Sequence, residues 1–171
     1  MKVYHGSCIE VHNPKISYSR ANVDFGKGFY VTQIYEQAVK WSLRFKKKDK
    51  AAIVSCYDLD ANAFKGYSVK EFSGYTEEWL DFIVDCRSLK DESNYDVVIG
   101  GVADDRVFNT VELYLDGLVD KIEAIKRLKY EKPNMQICIR NQEIIDKYMK
   151  FEGSEKLWMQ TQYYYKKSMQ E

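Results

Sequence analysis

The sequence predicts an α+β fold, and three observations carry that expectation. Segments rich in branched and aromatic residues are interspersed with segments whose apolar residues step by three and four, without a strict strand–helix–strand rhythm. A composition of 45% hydrophobic and 30% charged residues is that of a globular chain. Nine glycines and two prolines in 171 residues exclude collagen-like, linker-like and low-complexity architectures. The length fits one domain, taken as residues 1–171. A domain of this size buries roughly two-thirds of its unfolded surface, so it folds without a disulfide or a metal.

Val3-Tyr4-His5 reads as a short first strand, ended by Gly6-Ser7. Residues 8–23 are mixed, and Pro14 confines any strand there to an edge because it donates no ladder bond. Asp24-Phe25-Gly26-Lys27-Gly28 is a glycine-punctuated turn into the strand Phe29-Tyr30-Val31. Thr32 is placed to cap a helix, and Ile34, Ala38, Trp41 and Phe45 are expected to form its buried face. Lys46-Lys47-Lys48 ends that helix at the negative pole of its dipole.

Ala52 to Tyr57 is a strand, and residues 58–62 turn out of it. Thr76 caps a second helix, with Trp79, Leu80, Ile83, Val84 and Cys86 as its apolar face. Asp91 to Asn94 is a loop, and Tyr95 to Ile99 a strand ended by Gly100-Gly101. Val107, Val111, Tyr114 and Leu115 have helical spacing. Ile122, Ile125 and Leu128 mark a further helical face, stopped by Pro133. Gln136 to Arg140 is a strand, and Asn141 caps a short helix with Ile144, Ile145 and Tyr148. The end of the chain is polar and reads as a tail that contains Tyr163-Tyr164-Tyr165.

Charge and cysteine usage narrow the function. With 26 basic and 26 acidic residues the formal net charge is zero, which argues against a broad grip on nucleic acid. No apolar run approaches the roughly 20 residues of a membrane span, and the N-terminus has no signal-peptide core. Cys8, Cys56, Cys86 and Cys138 are scattered, without the clustering that disulfide or zinc sites need. Four reduced, mostly packed thiols, no metal and a cytoplasmic setting are expected. The 14 tyrosines combine apolar area with a hydroxyl, so some are expected to line clefts or contact faces.

Three short constellations could carry chemistry. His5 precedes Gly-Ser at the end of the first strand, whereas His12, among polar residues, reads as a solvated loop histidine. On its own, His5 also fits a satisfied strand histidine. Gly26-Lys27-Gly28 allows close backbone approach, yet it is neither a dinucleotide fingerprint nor a Walker loop, and it also fits a plain β-turn with Tyr30 in the core. In the late strand, alternation places Asn134, Gln136 and Cys138 on one face and Met135, Ile137 and Ile139 on the other. Gln136 then needs a partner for its amide, or it faces solvent on an edge strand.

Taken together, His5-Gly6-Ser7, Gly26-Lys27-Gly28-Phe29-Tyr30 and Asn134-Met135-Gln136 resemble the ordered motifs of the ADP-ribosyltransferase superfamily. The likeness is greatest to an uncharacterised bacterial family, domain of unknown function 3990, which looks like a branch of that superfamily. Glu78 to Ile83, Asp96 to Asp104 and Pro133 to Glu143 are similar to it too. The resemblance covers about residues 3–151 and leaves 152–171 as a C-terminal tail.

This resemblance implies a split β-sheet core with flanking helices, and a site where His5, Tyr30 and Gln136 share NAD as substrate. It assigns His5 to the adenine-side ribose and the Gly6 backbone, beside Ser7, to the nicotinamide amide. Tyr30 would pack on the nicotinamide ring. Gln136 stands where many members carry a catalytic Glu, and it would bond the 2′-hydroxyl of the nicotinamide ribose. Asn134 falls where acceptor preference is often set. Arg20 and Lys27 lie beside the turn, within reach of a pyrophosphate or as solvated cations, and Gly28 belongs to the NAD-binding turn. As a neutral amide, Gln136 cannot serve as a general base, so Glu112, Glu131 and Glu143 are candidate compensating carboxylates.

The implied activity is NAD-dependent mono-ADP-ribosyl transfer to a macromolecular acceptor, in a toxin-like bacterial enzyme that can have an antitoxin partner. The alternatives are an NAD glycohydrolase, or a silent module binding NAD, ADP-ribose or a protein. Nucleic-acid binding through Tyr163 to Lys167 is a further, weaker alternative, because the chain carries no net charge.

Overall fold

The computed structural model describes residues 1–46, 48–103, 105–129 and 134–157. Among them are seven strands and five α-helices, the strands in two sheets, an α+β fold. The chain divides into two compact units. One comprises Met1–Pro14, Val31–Ala63 and the segment from Tyr148 on; the other comprises Lys15–Tyr30 and Phe64–Lys147.

The first unit is built on a three-stranded sheet. Strand β1 (Lys2–Ser7) runs antiparallel to the central strand β3 (Ile53–Leu59), with His5 opposite Ser55 and Gly6 opposite Val54. On the other side of β3 lies β7 (Met149–Lys156), also antiparallel. Val3, Ala38, Val39, Ala52, Val54 and Leu157 are buried in this unit.

Helix α1 (Tyr35–Lys46) packs with a different face from the one its large apolar residues suggest. Ala38, Val39 and Ser42 are buried, whereas Ile34 and Trp41 are exposed. The cause lies at Gly6. A Cβ there would overlap the Ala38 carbonyl oxygen and come within 3.0 Å of the Ser42 nitrogen. Backbone meets backbone at this point, so the contact face must be made of small residues. Trp41 instead lies under the guanidinium of Arg44, 4.5 Å from the ring centre. Thr32 pairs with Tyr4 in an isolated bridge, and its hydroxyl accepts from Ile34 N at 3.1 Å just before the helix begins.

Strand β7 corrects the expected C-terminal tail, since residues 152–156 are strand. The position is an edge of the sheet, with Met149, Phe151 and Gly153 half-buried and Lys150, Glu152 and Ser154 exposed. An edge strand tolerates charge and glycine, and that composition hides it from propensity reasoning.

The second unit holds a four-stranded sheet in the order β2 (Phe29–Val31), β6 (Met135–Ile139), β5 (Val97–Gly101), β4 (Val69–Glu71). β5 and β6 are antiparallel, with Gly100 opposite Gln136, and β4 is parallel to β5. β4 has three residues at the other edge, too short and too polar to read from sequence.

Helix α2 (Glu77–Arg87) is capped as expected, with the Thr76 hydroxyl accepting from Trp79 N at 3.2 Å. Trp79, Leu80, Ile83 and Cys86 are buried. Trp79, Leu80 and Ile83 join Val107 and Val111 of α3 (Asp105–Leu115), Ala124 and Leu128 of α4 (Lys121–Leu128), and Phe25, Val98 and Cys138 in one core. On α4 the inner face is Ala124 and Leu128, while Ile122 is 80% exposed and so does not belong to it. Asn141 caps α5 (Gln142–Tyr148) by accepting from Glu143 N at 2.9 Å, and Ile144 and Ile145 are buried. Lys47, Asp104, Glu131, Pro133 and Tyr163-Tyr164-Tyr165 lie outside the described residues. No described helix is long and apolar enough to cross a membrane.

Candidate functional site

The glycine turn before β2 organises the chemistry of the second unit. Gly26 has φ +69°, a left-handed conformation that glycine adopts without steric cost. Tyr30 ties the turn to the strand it feeds. Its hydroxyl accepts from Phe25 N at 3.0 Å and donates to the Gly26 carbonyl at 2.7 Å. Burial, followed by Cys138 and Asp24, holds this phenol well above the ordinary tyrosine pKa. Gly28 is required by packing, because a Cβ there would overlap the Cys138 sulfur and lie 2.9 Å from the Ile139 carbonyl oxygen. Its amide donates to Ser19 Oγ at 3.2 Å.

The turn covers the face of β6 that carries Gln136 and Cys138. The Cys138 thiol lies 3.8 Å from the Phe25 carbonyl oxygen, and burial pushes its pKa up to about 12. Gln136, on an interior strand, finds the partner its amide requires. Its Nε2 donates to Asp24 Oδ2 in a long bond of 3.5 Å. The same oxygen accepts from Ala103 N at 3.3 Å. Asp24 Oδ1 takes both Nε and Nη2 of Arg87, at 3.1 and 2.7 Å. The third nitrogen of Arg87 reaches Glu112 Oε1 at 2.7 Å, and its guanidinium sits 4.9 Å from the centre of the Phe108 ring.

The result is a chain of four side chains, Gln136–Asp24–Arg87–Glu112. The Arg87 and Asp24 side chains are 11% and 18% exposed, and that of Glu112 is 44%. In such partly dry surroundings a charge-assisted Arg–carboxylate pair holds its geometry better than an exposed one. The cluster can present one polar amide whose orientation is set by an anion behind it.

Of the carboxylates expected to compensate for a neutral Gln136, Glu112 joins the cluster through Arg87. Glu143 pairs with Lys147 along α5, and Glu131 lies outside the described residues. Asp24 and Arg87 were not anticipated as part of the site. Asp24 stood in plain view at the head of the glycine turn, but its partner is 63 positions away, and no spacing rule reports that. Asn134 is exposed at the head of β6, where its carbonyl accepts from Val102 N at 2.8 Å. Arg20 and Lys27 are exposed.

In the first unit, His5 is half-buried in the sheet and Gly6 is fully covered by α1. Ser7 is buried and its hydroxyl donates to the Ile9 carbonyl at 2.5 Å. The following loop is tied to β3 through Val11, which donates to Ser55 Oγ at 3.2 Å and accepts from the Tyr57 hydroxyl at 2.5 Å. Exposed His12 tilts against Phe151, ring centres 4.2 Å apart. Among the described residues no group of three or more His, Cys, Asp or Glu could hold a metal ion. All four cysteines are free, with Cys86 and Cys138 buried and Cys8 and Cys56 half-buried.

Comparison with known proteins places the chain in a family. No curated protein and no solved structure matches it. The family model described as "Protein of unknown function (DUF3990)" matches residues 1–151. That stretch includes the turn, both sheets as far as the start of β7, and all four members of the Gln136 cluster. With most of its 171 residues matched, the chain belongs to the DUF3990 family.

Proposed function

We propose that this protein is an NAD-dependent mono-ADP-ribosyltransferase of the superfamily its motifs resemble, a bacterial toxin-like enzyme of the cytoplasm whose antitoxin would be a protein partner. The observation that carries the reading is the Gln136 side chain, held beside a glycine turn with its nitrogen on Asp24. That arrangement leaves the amide carbonyl as the acceptor for a ribose hydroxyl. The division of the strands into two small sheets, as a split core requires, also supports it.

In this reaction the bond between nicotinamide and ribose C1′ breaks. Its electron pair passes to the ring nitrogen and neutralises the pyridinium. Positive charge develops on the ribose, as in other glycosyl transfers. The acceptor then bonds C1′ and releases its proton. Gln136 orients the 2′-hydroxyl next to that charge, and the anion of Asp24 behind it favours the cationic transition state electrostatically. By the resemblance, His5 bonds the adenine-side ribose, the Gly6 backbone takes the nicotinamide amide, and Tyr30 supplies the ring platform. Arg20, Gly28 and Ser7 belong to the NAD-binding set, and Asn134 to the choice of acceptor.

One observation favours a second reading, a silent module that binds NAD, ADP-ribose or a protein. The Tyr30 hydroxyl is engaged within its own turn, and its ring packs on the core of the second unit. Incubation with labelled NAD and cell lysate separates the readings. Label on a macromolecule supports a transferase, and free ADP-ribose a glycohydrolase. NAD binding without cleavage supports the silent module. A transferase is expected to lose about 10²–10³ in kcat on Gln136→Ala while NAD affinity holds; unchanged cleavage would remove Gln136 from the chemistry.

A further inference from the structure

We infer that Asp24 is the positioning residue of this site and the reason that position 136 carries an amide rather than a carboxylate. The inference rests on the ADP-ribosyl transfer reading. Asp24 is itself immobilised. Arg87 places two nitrogens on Oδ1, and Ala103 N donates to Oδ2. An ionised carboxylate only accepts hydrogen bonds, so the group facing it must donate. Gln136 meets that demand with Nε2, and its Oε1 is thereby left as the acceptor for substrate. A Glu in the same place would set two anions at hydrogen-bond distance with no proton between them.

The surrounding charges do not relieve that conflict. Arg87 is shared between Asp24 and Glu112, so those three side chains together carry one net negative charge. Arg140, further along β6, is paired with Asp91 at 2.6 Å. Among the described residues, Tyr30 and Cys138 also lie near Asp24, and both are held in their neutral forms by burial. Opposite Gln136 on β5 stands Gly100, which brings no charge.

The consequence is a reversal of the usual expectation for such a site. Gln136→Glu is expected to impair this enzyme at neutral pH. Once protonated, however, a carboxyl group offers one donor and one acceptor, as the amide does. Activity of Gln136→Glu is therefore expected to return as pH falls. Exchanging the partners achieves the same at neutral pH, because the amide introduced by Asp24→Asn can donate to the carboxylate introduced by Gln136→Glu.

The test measures nicotinamide release from NAD by the full chain between about pH 5 and pH 9 for wild type, Gln136→Glu, Asp24→Asn and the double variant. Near pH 8, Gln136→Glu is expected to lose about 10²-fold in kcat with KM little changed, the size of one lost positioned hydrogen bond. Asp24→Asn is expected to lower kcat about 10-fold or more, and the double variant to recover at least about 10-fold over Gln136→Glu. A pH-independent Gln136→Glu activity, or a double variant no better than Gln136→Glu, would overturn the inference.

A second measurement does not depend on catalysis. The carboxyl carbon introduced by Gln136→Glu is titrated by NMR, alone and with Asp24→Asn. Its midpoint is expected to lie above the ordinary Glu value beside Asp24 and to fall when Asp24 is neutralised. An ordinary midpoint in Gln136→Glu alone refutes the coupling, and this holds even where Asp24→Asn fails to fold. Should wild type leave NAD intact, the transferase reading fails and the titration still decides whether Asp24 controls position 136.

Discussion

Replacing Tyr30 by Phe isolates what its hydroxyl contributes. The ring, which packs against the core of the second unit, is retained. The bond accepted from Phe25 N at 3.0 Å and the one donated to the Gly26 carbonyl at 2.7 Å vanish, together with the hydroxyl's contact with the Cys138 thiol. The Gly26 carbonyl loses an ordinary bond, at about 1 kcal/mol net. The Phe25 amide is stranded in a residue with 0% exposure, which costs about 1–2 kcal/mol. The sum is about 2–3 kcal/mol, or about 4–12 °C in Tm for a chain of this size. Urea denaturation followed by far-UV circular dichroism, with a thermal scan beside it, reads the change. A Tyr30→Phe midpoint indistinguishable from wild type would refute the assignment of the hydroxyl as the pin of the turn. NAD affinity, measured separately, addresses the ring: Tyr30→Phe is expected to retain it and Tyr30→Ala to lose about five-fold, since ring contact is worth about 1 kcal/mol beyond area. Equal losses from both would shift that role to the hydroxyl.

Gly6→Ala is expected to destabilise the first unit by about 1–3 kcal/mol, because the added Cβ meets the α1 backbone and not a side chain that can turn aside; a denaturation midpoint within experimental error of wild type would count against that packing. Hydrogen bonds from Asn141 and from the backbone and hydroxyl of Ser68 hold the Asp96 carboxyl below its usual range against a smaller opposing effect of burial. Its stabilisation is thus present above about pH 4 and is lost as pH falls through the folded-state value. Stability curves of wild type and Asp96→Asn are expected to converge in acid, and parallel curves would contradict this. Towards a thiol reagent, Cys8 is expected to react first. Cys56, whose pKa is raised by burial and by Glu152, should follow, and Cys86 and Cys138 should react only on unfolding; four equal rates would refute the assignment.

Periodicity and capping chemistry were enough to locate most elements of this protein. Thr76 and Asn141 stand before apolar runs at helical spacing, and both cap helices as that local chemistry requires. The strands containing His5, Tyr30, Val98 and Ile137 are likewise local features of branched and aromatic composition. Matters settled by packing were illegible. The inner face of α1 was set by the missing side chain of Gly6, a contact between residues more than 30 positions apart, so Ala38 and Ser42 went in and Trp41 stayed out. Strand β7 forms from Glu, Lys, Ser and Gly because β3 offers it an open edge, and propensity carries no record of that offer. The site divides in the same way. Gln136 was visible because an amide inside an apolar strand demands a partner. Asp24 and Arg87 were not, because the partner is chosen by the fold of the turn against β6 and α2, where a carboxylate, a guanidinium and an amide distant in sequence satisfy one another.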